Sequence, residues 1–214
     1  MKVIVFDFDG VIVDSNRLKE EAFSKIFKGT DISPALVDEI QRENTGTRFD
    51  MLRDIFVKSG RSENEIARLV DEYAARFDET AQGGIVEQGM FSGAREILER
   101  LSGRYPLYLN SMTPQIALEK TVGHLGIGYC FRQLCGWPPV KEEHMKNIIV
   151  REDVTPREVV MVGDGEGDFA AARATGCMFI GVANEFNQWR GKDFPIIAGV
   201  HEFEDALQHL NIEI

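Results

Sequence analysis

Two pairs of aspartates are spaced so that their side chains could bind one metal ion. Asp7 and Asp9 follow the apolar run VIVF in the segment FDFDG. Asp164 and Asp168 follow a second apolar run, VVMV, in the segment GDGEGD. Residues two apart in an extended chain project to the same side, so Asp7 and Asp9 can face one site. Four carboxylates in one place would repel each other unless a cation lay among them, and such hard oxygen ligands suit Mg²⁺.

Each aspartate pair also has a simpler interpretation. A chain with 35 acidic residues will often end a strand in an acidic pair, and Gly-Asp-Gly is common in turns where the aspartate bonds the backbone. The metal site is the better interpretation because two separate strand ends supply the carboxylates.

A hydroxyl and an ammonium group stand at two further ends of predicted elements. Ser111 follows the apolar run LYLN and precedes Thr113 and Pro114, which can cap and begin a helix. A hydroxyl and free backbone N–H groups would then meet at a helix N-terminus, which is a place for an anion, although Ser111 could equally bond only the backbone. Lys141 opens a helix, where a cation disfavours stability. We interpret it as a charge partner for carboxylates and bound phosphate, with Lys146 as the competing candidate.

Several β-branched runs predict the strands that would position these groups. The strands are expected at 2–9, 105–111, 157–164 and 178–182, with a weaker candidate at 129–135. Helical patterns lie between most of them, at 94–102, 114–125, 141–150, 166–175 and near 202–210. This alternation predicts an α/β fold, a doubly wound, Rossmann-like parallel sheet with helices on both faces. Ligands bind such a sheet at the carboxyl ends of its strands.

Residues 15 to 82 interrupt this alternation. Apolar residues repeat there at helical spacing, which predicts about four helices and no strand. Gly83 and Gly84 are expected to form a flexible return from this all-helical insertion, as suits a hinge. The predicted domains are a core of residues 1–14 and 85–214 and a helical domain of residues 15–84.

Composition excludes several classes of partner. The 214 residues carry a formal net charge of −11, so a polyanion such as nucleic acid, or an anionic membrane, would be repelled. The three cysteines form neither a disulfide framework nor a zinc pattern, which fits a reducing cytoplasm. Asp7 interrupts the N-terminal apolar run before it reaches the length of a signal peptide or membrane span. We therefore expect a cytoplasmic protein with no membrane partner.

The motifs and their order resemble those of a known superfamily. The segment FDFDG, a serine after the next core strand, a lysine and then GDGEGD are similar to the motifs of the haloacid dehalogenase superfamily. The likeness is greatest to its phosphoglycolate-phosphatase-like and β-phosphoglucomutase-like branch, which carries a helical cap between the first two motifs. It spans nearly the whole chain. The resemblance implies an α/β core, a helical cap over residues 15–84, and Mg²⁺ as the cofactor.

The resemblance implies a role for each motif residue in phosphoryl transfer. Asp7 would be the nucleophile that forms an aspartyl-phosphate. Asp9 would be the general acid/base, and its backbone carbonyl would bind Mg²⁺. Ser111 and Lys141 would hold the phosphoryl oxygens. The metal ligands would be Asp7, Asp9, Asp164 and Asp168, with Asp168 completing or orienting that shell.

Three further residues are expected near the substrate. Gly10 lets the backbone turn close to a bound group. Met112 follows Ser111 at a position where the family frequently has asparagine. Arg48, in the segment NTGTRFDML, is the best candidate for a cap residue that contacts the leaving group, although it could equally be a solvated residue in a first helical turn.

We therefore predict a Mg²⁺-dependent phosphatase that acts on a small phosphomonoester, either a sugar phosphate or a phosphoglycolate-like metabolite. A sugar phosphomutase stays open because Val11 gives the DGV segment that the mutase-like members also use. Asp9 disfavours carbon–halogen cleavage, since the dehalogenating members lack this aspartate. A more remote alternative is a non-enzymatic, receiver-like domain that accepts a phosphoryl group. The expected state is a monomer or weak homodimer.

Overall fold

A computed structural model describes residues 1–43, 46–185, 187, 189 and 191–209. The chain divides into two compact units, of which one comprises Met1–Asp14 and Gln88–Ile214 and the other Ser15–Glu87. None of the helices within the described residues is long and apolar enough to span a bilayer.

The first unit is built on one parallel sheet of six strands. The strands are β1 (Val3–Phe6), β2 (Leu107–Pro114), β3 (Gln133–Trp137), β4 (Val159–Gly163), β5 (Met178–Val182) and β6 (Ile196–Ile197). Their order across the sheet is β3-β2-β1-β4-β5-β6, and every pair is parallel. From β1, the next two strands of the chain thus extend the sheet to one edge, and β4, β5 and β6 then extend it on the other side of β1. The predicted doubly wound α/β fold is confirmed.

The second unit contains four helices and, among its described residues, no strand. These helices are α1 (Asn16–Ile26), α2 (Pro34–Glu43), α3 (Arg48–Lys58) and α4 (Glu63–Gln88). Their apolar faces form a common core in which the rings of Phe27, Phe56 and Tyr73 contact one another, with centroids 4.9 to 5.9 Å apart. This separate core lets the helices pack without a sheet, as the helical spacing of apolar residues predicts.

Five helices complete the first unit and cover both faces of its sheet. They are α5 (Ala94–Ser102), α6 (Gln115–Leu125), α7 (Lys141–Glu152), α8 (Glu166–Thr175) and α9 (Phe203–His209). Alternate residues of a strand point to opposite faces. Val3 and Val5 lie in an apolar cluster with residues of α7 and α8. Phe6 points the other way, and its ring lies 5.8 Å from that of Phe203 in α9. All four residues of β1 are consequently buried.

The pair Gly83 and Gly84 corrects one expectation. Both residues lie within α4, so they do not form a flexible return. A Cβ added to Gly84 would lie 3.1 Å from Leu18 Cδ2 of α1, which shows how closely the two helices approach here. Glycine in a helix interior costs about 1 kcal/mol relative to alanine. We infer that the close helix packing offsets this cost.

The beginning of α6 corrects a second expectation. Pro114 has an extended backbone, with φ −54° and ψ 143°, and pairs with Trp137 of β3, so β2 continues through Pro114 and α6 begins at Gln115. Thr113 therefore lies in the strand and does not cap the helix. The third strand also differs, because residues 128–130 form a 3₁₀ turn and the strand itself occupies Gln133–Trp137.

Candidate active site

The candidate site lies at the carboxyl ends of β1 and β4. These adjacent strands form the point at which the strand order of the sheet reverses. Asp7 directly follows β1 and Asp164 directly follows β4. The two strands are in register, with Phe6 beside Val162, and the Asp7 N–H donates to the Val162 carbonyl at 2.8 Å. The strand pairing alone thus brings Asp7 and Asp164 to one edge of the sheet, where doubly wound folds bind ligands.

Three carboxylates converge at this edge. Asp7, Asp164 and Asp168 each present an oxygen, and these oxygens lie within 4.8 Å of one another. Asp168 reaches the group from the first turn of α8, where its Oδ2 accepts a hydrogen bond of 3.0 Å from the Gly165 N–H. A Cβ on Gly163 would lie only 2.3 Å from the Asp168 Cβ, so the position requires glycine.

One buried ammonium group lies among these carboxylates. Lys141 Nζ is 2.8 Å from Asp7 Oδ1 and 2.5 Å from Asp168 Oδ1, and its side chain is 9% exposed. The Asn110 amide donates to the Lys141 carbonyl at 3.1 Å, which ties the beginning of α7 to β2. The competing candidate, Lys146, is exposed and pairs with Glu142 at 2.5 Å. The lysine that contacts the carboxylates is therefore Lys141.

The electrostatics of this cluster are unbalanced. Burial raises the pKa of Asp7 to about 7, the nearby Asp168 raises it as well, and Lys141 opposes both. Burial also raises the pKa of Asp168, against the pull of Lys141. For Lys141, burial lowers the pKa, but the attraction of Asp168 and Asp7 outweighs it and the pKa is raised. Among the described residues, the single ammonium group of Lys141 thus contacts two carboxylates, Asp7 and Asp168.

The donor set fits a hard divalent cation. Asp7 Oδ1 is buried, and its charged contact is the Lys141 ammonium group at 2.8 Å, which Asp7 shares with Asp168. Carboxylate oxygens are the preferred protein ligands of Mg²⁺. A divalent ion would offset the negative charge of three carboxylates whose oxygens lie within 4.8 Å of one another. We therefore find the residues compatible with such an ion.

Asp9 has different surroundings. Its Oδ2 accepts hydrogen bonds from Ser111 Oγ at 3.2 Å and from Thr113 Oγ1 at 2.9 Å. The Thr113 N–H in turn donates to Ser111 Oγ at 3.0 Å. The Asp9 carboxylate is thus oriented by two hydroxyl groups of β2, whereas the carboxylate of Asp7 faces Lys141.

Thr113, which the sequence predicts to cap a helix, contacts a residue of the candidate site. β2 continues to Pro114 with a register irregularity between Asn110 and Pro114, and the hydroxyl groups of both Ser111 and Thr113 donate to Asp9 Oδ2. This is the same spacing of two residues that identifies Asp7 and Asp9. It could have been recognised from the sequence if the strand had been extended by three residues.

Gly10 and Met112 are the sequence neighbours of Asp9 and Ser111. Gly10 has φ +71°, a conformation that favours glycine, and its N–H donates to the Val13 carbonyl at 2.8 Å. Met112 follows Ser111 and is 39% exposed. Their roles toward a substrate stay predictions.

Arg48 lies in the helical unit and has a partner there. Its Nη2 is 2.8 Å from Asp78 Oδ2, and its guanidinium carbon lies 4.5 Å from the centre of the Phe49 ring. The side chain is only 12% exposed, so the interpretation as a solvated residue is wrong. The expected contact with a substrate stays a prediction.

Two residues without any expected role contact Asp164. Asn184 Nδ2 donates to Asp164 Oδ2 at 2.7 Å, and Asn187 Nδ2 donates to the Asp164 carbonyl at 3.1 Å. Both asparagines follow β5, and no spacing in the sequence links them to Asp164.

Known proteins with similar sequences and structures agree with the resemblance inferred from the motifs. A phosphoglycolate phosphatase of Vibrio parahaemolyticus is 25% identical over 98% of this chain and 94% of its own length. A predicted phosphoglycolate phosphatase from Haemophilus somnus has a TM-score of 0.76 and 18% identity, covering 96% of this chain and 97% of that chain. A provisionally named beta-phosphoglucomutase from Thermotoga maritima has a TM-score of 0.75 and 22% identity, covering 98% and 100%.

The two structural similarities show the fold alone, because sequence identities of 22% and 18% are too low to carry a function from one protein to another. The family itself follows from a model of haloacid dehalogenase-like hydrolases, which matches residues 4–182, from β1 to the end of β5. The resemblance inferred from the motifs is thus confirmed, and the chain belongs to the haloacid dehalogenase-like hydrolase family.

Proposed function

We propose that the protein is a Mg²⁺-dependent phosphatase that hydrolyses a small phosphomonoester through an aspartyl-phosphate on Asp7. The observation that carries this proposal is the contrast between two carboxylates two residues apart. Asp7 faces a buried ammonium group and two further carboxylates, whereas Asp9 is held by hydroxyl groups. Two acidic groups in different surroundings suit the two tasks of nucleophile and acid/base.

Asp7 is the proposed nucleophile. One of its oxygens attacks phosphorus in line, a bond forms between them, and the bond from phosphorus to the leaving oxygen breaks. A carboxylate approaching a phosphate dianion meets electrostatic repulsion. Lys141, 2.8 Å from Asp7 Oδ1, supplies a positive charge that reduces this repulsion.

Asp9 is the proposed general acid and base. It gives a proton to the leaving oxygen, so that an alcohol departs, and later takes a proton from the water that attacks the aspartyl-phosphate. Free phosphate and the original Asp7 carboxylate result. The hydrogen bonds from Ser111 and Thr113 to Asp9 Oδ2 would hold the carboxyl group in orientation for both transfers.

Asp7 and Asp164 are the proposed side-chain ligands of Mg²⁺, with the backbone carbonyl of Asp9 as the resemblance implies. When bound, the ion supplies positive charge that offsets the charge of the phosphate and of the surrounding carboxylates. Asp168 has a donor on each oxygen, Lys141 on Oδ1 and Gly165 on Oδ2. The sequence leaves open whether Asp168 completes the shell of metal ligands or orients it. We propose that Asp168 orients Lys141 and the loop at Gly165.

The helical domain, residues 15–84 in the sequence analysis, is the proposed cap that excludes water from the reaction. The substrate class is a sugar phosphate or a phosphoglycolate-like metabolite, and the name of the Vibrio relative favours the latter. Arg48 would suit either a carboxylate or a phosphate group of the substrate. We further propose that the enzyme is cytoplasmic and acts as a monomer or weak homodimer on a diffusible metabolite.

A sugar phosphomutase is the second candidate function. Val11 completes the DGV segment, and the Thermotoga protein similar to this chain is named as a beta-phosphoglucomutase. A mutase would use the same Asp7 but return the phosphoryl group to a bound intermediate. Membership of a hydrolase family disfavours the receiver-like alternative, which predicts no turnover.

The decisive experiment is a screen of phosphorylated metabolites with wild-type protein and Asp7→Asn, with and without Mg²⁺. We expect phosphate release by the wild-type protein with Mg²⁺ and none by the variant. Formation of a phosphate isomer without phosphate release would replace the phosphatase by the mutase. Full activity of Asp7→Asn would remove the aspartyl-phosphate from the proposal.

A further inference from the structure

The loop that follows β5 holds Asp164 by its side chain and by its backbone. The Asn184 amide donates to Asp164 Oδ2 at 2.7 Å. The Asn187 amide donates to the Asp164 carbonyl at 3.1 Å and to the Val182 carbonyl at 2.7 Å. The Asn184 N–H also donates to Asn187 Oδ1 at 3.3 Å, which joins the two asparagines. Asp164 is thus connected to the end of β5 by a continuous set of hydrogen bonds.

The position of Asp164 in the chain shows where such support can act. Gly163 before it is held in β4 opposite Gly181, but Gly165 after it belongs to no strand, and glycine leaves the backbone more conformational freedom than any other residue. Gly163 cannot be exchanged, because its missing side chain makes room for Asp168. The hydrogen bonds from Asn184 and Asn187 thus hold Asp164 from outside its own loop.

We propose that Asn184 is a positioning residue that orients the Asp164 carboxylate for a divalent cation, with Asn187 fixing the loop that carries Asn184. This inference rests on the proposed function, because it assigns the role toward the metal of that same site.

The chemistry of an amide group suits this task. A neutral amide donates a hydrogen bond without adding a positive charge that would compete with a cation. An ionised carboxylate has about four acceptor positions, so a bond to Oδ2 leaves the group able to bind a metal ion. Hydrogen bonds of this kind orient metal ligands, and their removal typically costs about 10- to 100-fold in metal affinity or activity.

The first test measures cation binding without substrate. Mg²⁺ and Mn²⁺ binding to the purified full-length chain is followed by calorimetry for the wild-type protein, Asn184→Ala and Asn184→Ser. Asn147→Ala, a change of the same residue type at an exposed position of α7, is the control. We expect both Asn184 variants to bind the cations about 10- to 100-fold more weakly. The control should bind them as the wild-type protein does, and melting temperatures in EDTA should be unchanged throughout.

The second test separates positioning from a general structural role. Phosphate release is measured against Mg²⁺ concentration for the same proteins. We expect the Mg²⁺ concentration for half-maximal activity of Asn184→Ala to rise by the factor seen in calorimetry, while kcat at saturating Mg²⁺ returns to the wild-type value. A lower kcat at saturating Mg²⁺ with unchanged cation affinity would contradict the inference.

The outcomes distinguish this inference from the proposed function. Metal-dependent phosphate release by the wild-type protein, together with wild-type cation affinity in Asn184→Ala, would overturn the inference alone. A wild-type protein that neither binds a divalent cation nor depends on one would overturn the metal role in the proposed function, and the inference with it.

Discussion

Each unit of the molecule contains a positive side chain with little solvent exposure, and the two side chains differ in the number of carboxylates that they contact. In the helical unit, Arg48 pairs with one carboxylate, Asp78, at 2.8 Å. In the α/β unit, Lys141 pairs with two carboxylates, Asp7 and Asp168, at 2.8 and 2.5 Å. Side-chain exposure is 12% and 27% in the first group, and 9% or less in the second.

The pKa values of Arg48 and Lys141 are shifted in opposite directions, in line with the number of carboxylates that each contacts. Burial lowers the pKa of Arg48, and a single partner, Asp78, does not reverse that shift. Burial also lowers the pKa of Lys141, but two carboxylates reverse the shift and raise it. One guanidinium and one carboxylate carry equal and opposite charges, so the contact between Arg48 and Asp78 leaves no excess negative charge for a cation. An ammonium group with more than one carboxylate leaves negative charge for a cation, and this excess distinguishes the candidate site.

The largest expected effect comes from removing the proposed nucleophile. Asp7→Asn should lower phosphate release by about 10⁴-fold or more, because an amide cannot form the aspartyl-phosphate. Asp78→Asn is the matched control, since it neutralises the carboxylate of the balanced pair. Steady-state phosphate release is the measurement. If Asp7→Asn and Asp78→Asn lowered phosphate release by a similar factor, the result would contradict the proposal that only the carboxylate of the α/β unit takes part in the reaction.

The next largest effect is expected from Lys141→Met, which keeps the approximate length of the side chain and removes its charge. Leaving buried carboxylates without a partner costs about 3–5 kcal/mol in the free energy of unfolding. We also expect phosphate release to fall by about 10²- to 10³-fold. Urea unfolding and phosphate release measure the two effects. Lys146→Met serves as the control, because Lys146 is exposed, and a similar loss there would contradict the assignment.

Thr113→Val tests whether the hydroxyl groups of β2 orient Asp9. A hydrogen bond to a charged group contributes about 1.5–3 kcal/mol, so kcat should fall about 10- to 100-fold. Thr113→Ser retains the hydroxyl group and should retain most of the activity. The measurement is kcat for both variants at saturating substrate and Mg²⁺. Equal activity of the valine and serine variants would show that the hydroxyl group has no part in catalysis.

Asp78→Asn tests the balanced pair directly. Because both partners are partly exposed, we expect a loss of only about 1–2 kcal/mol in the free energy of unfolding. Mg²⁺ binding should be unchanged. Urea unfolding and calorimetry check these two expectations. A large loss of cation affinity would mean that the pair in the helical unit also belongs to the metal site.

The smallest effect is expected at an exposed pair, Glu158 with Lys2. Hydrogen bonds from Lys2 and from Thr155 lower the pKa of Glu158 to about 2 from an ordinary value of 4.5. A lowered pKa in the folded state means that the stabilisation is present above pH 4.5 and is lost as the pH falls toward 2. Urea midpoints of Glu158→Gln and the wild-type protein should therefore differ above pH 4.5 and converge near pH 2. A constant difference would contradict this pKa.

The fold and much of the candidate site could be predicted from local sequence. Apolar runs identify β1 and β4, and the carboxyl ends of adjacent parallel strands must meet at one edge. Asp7 and Asp164 therefore follow from pattern alone. Arg48 could be named, but its partner Asp78 lies 30 residues away and no local pattern joins them.

The remaining features depend on contacts between distant segments. Thr113 contacts Asp9 from a part of β2 whose pairing with β3 shifts register between Asn110 and Pro114, and no local pattern predicts that shift. Gly84 stays helical where Leu18 packs closely against it. Asn184 contacts Asp164 from a loop 20 residues further along the chain. Local propensity cannot reveal such contacts, because tertiary packing decides them.

The order of the strands has a consequence for biosynthesis. Asp7 leaves the ribosome early, but its neighbour Asp164 follows only 157 residues later, and chains fold as they are made, N-terminal parts first. β1 can pair with β2 long before β4 exists. A nascent chain that ends before β4 would thus carry the proposed nucleophile, the proposed acid/base and the whole helical insertion, yet lack Asp164, a proposed ligand of the cation. The enzyme would stay inert until translation is nearly complete.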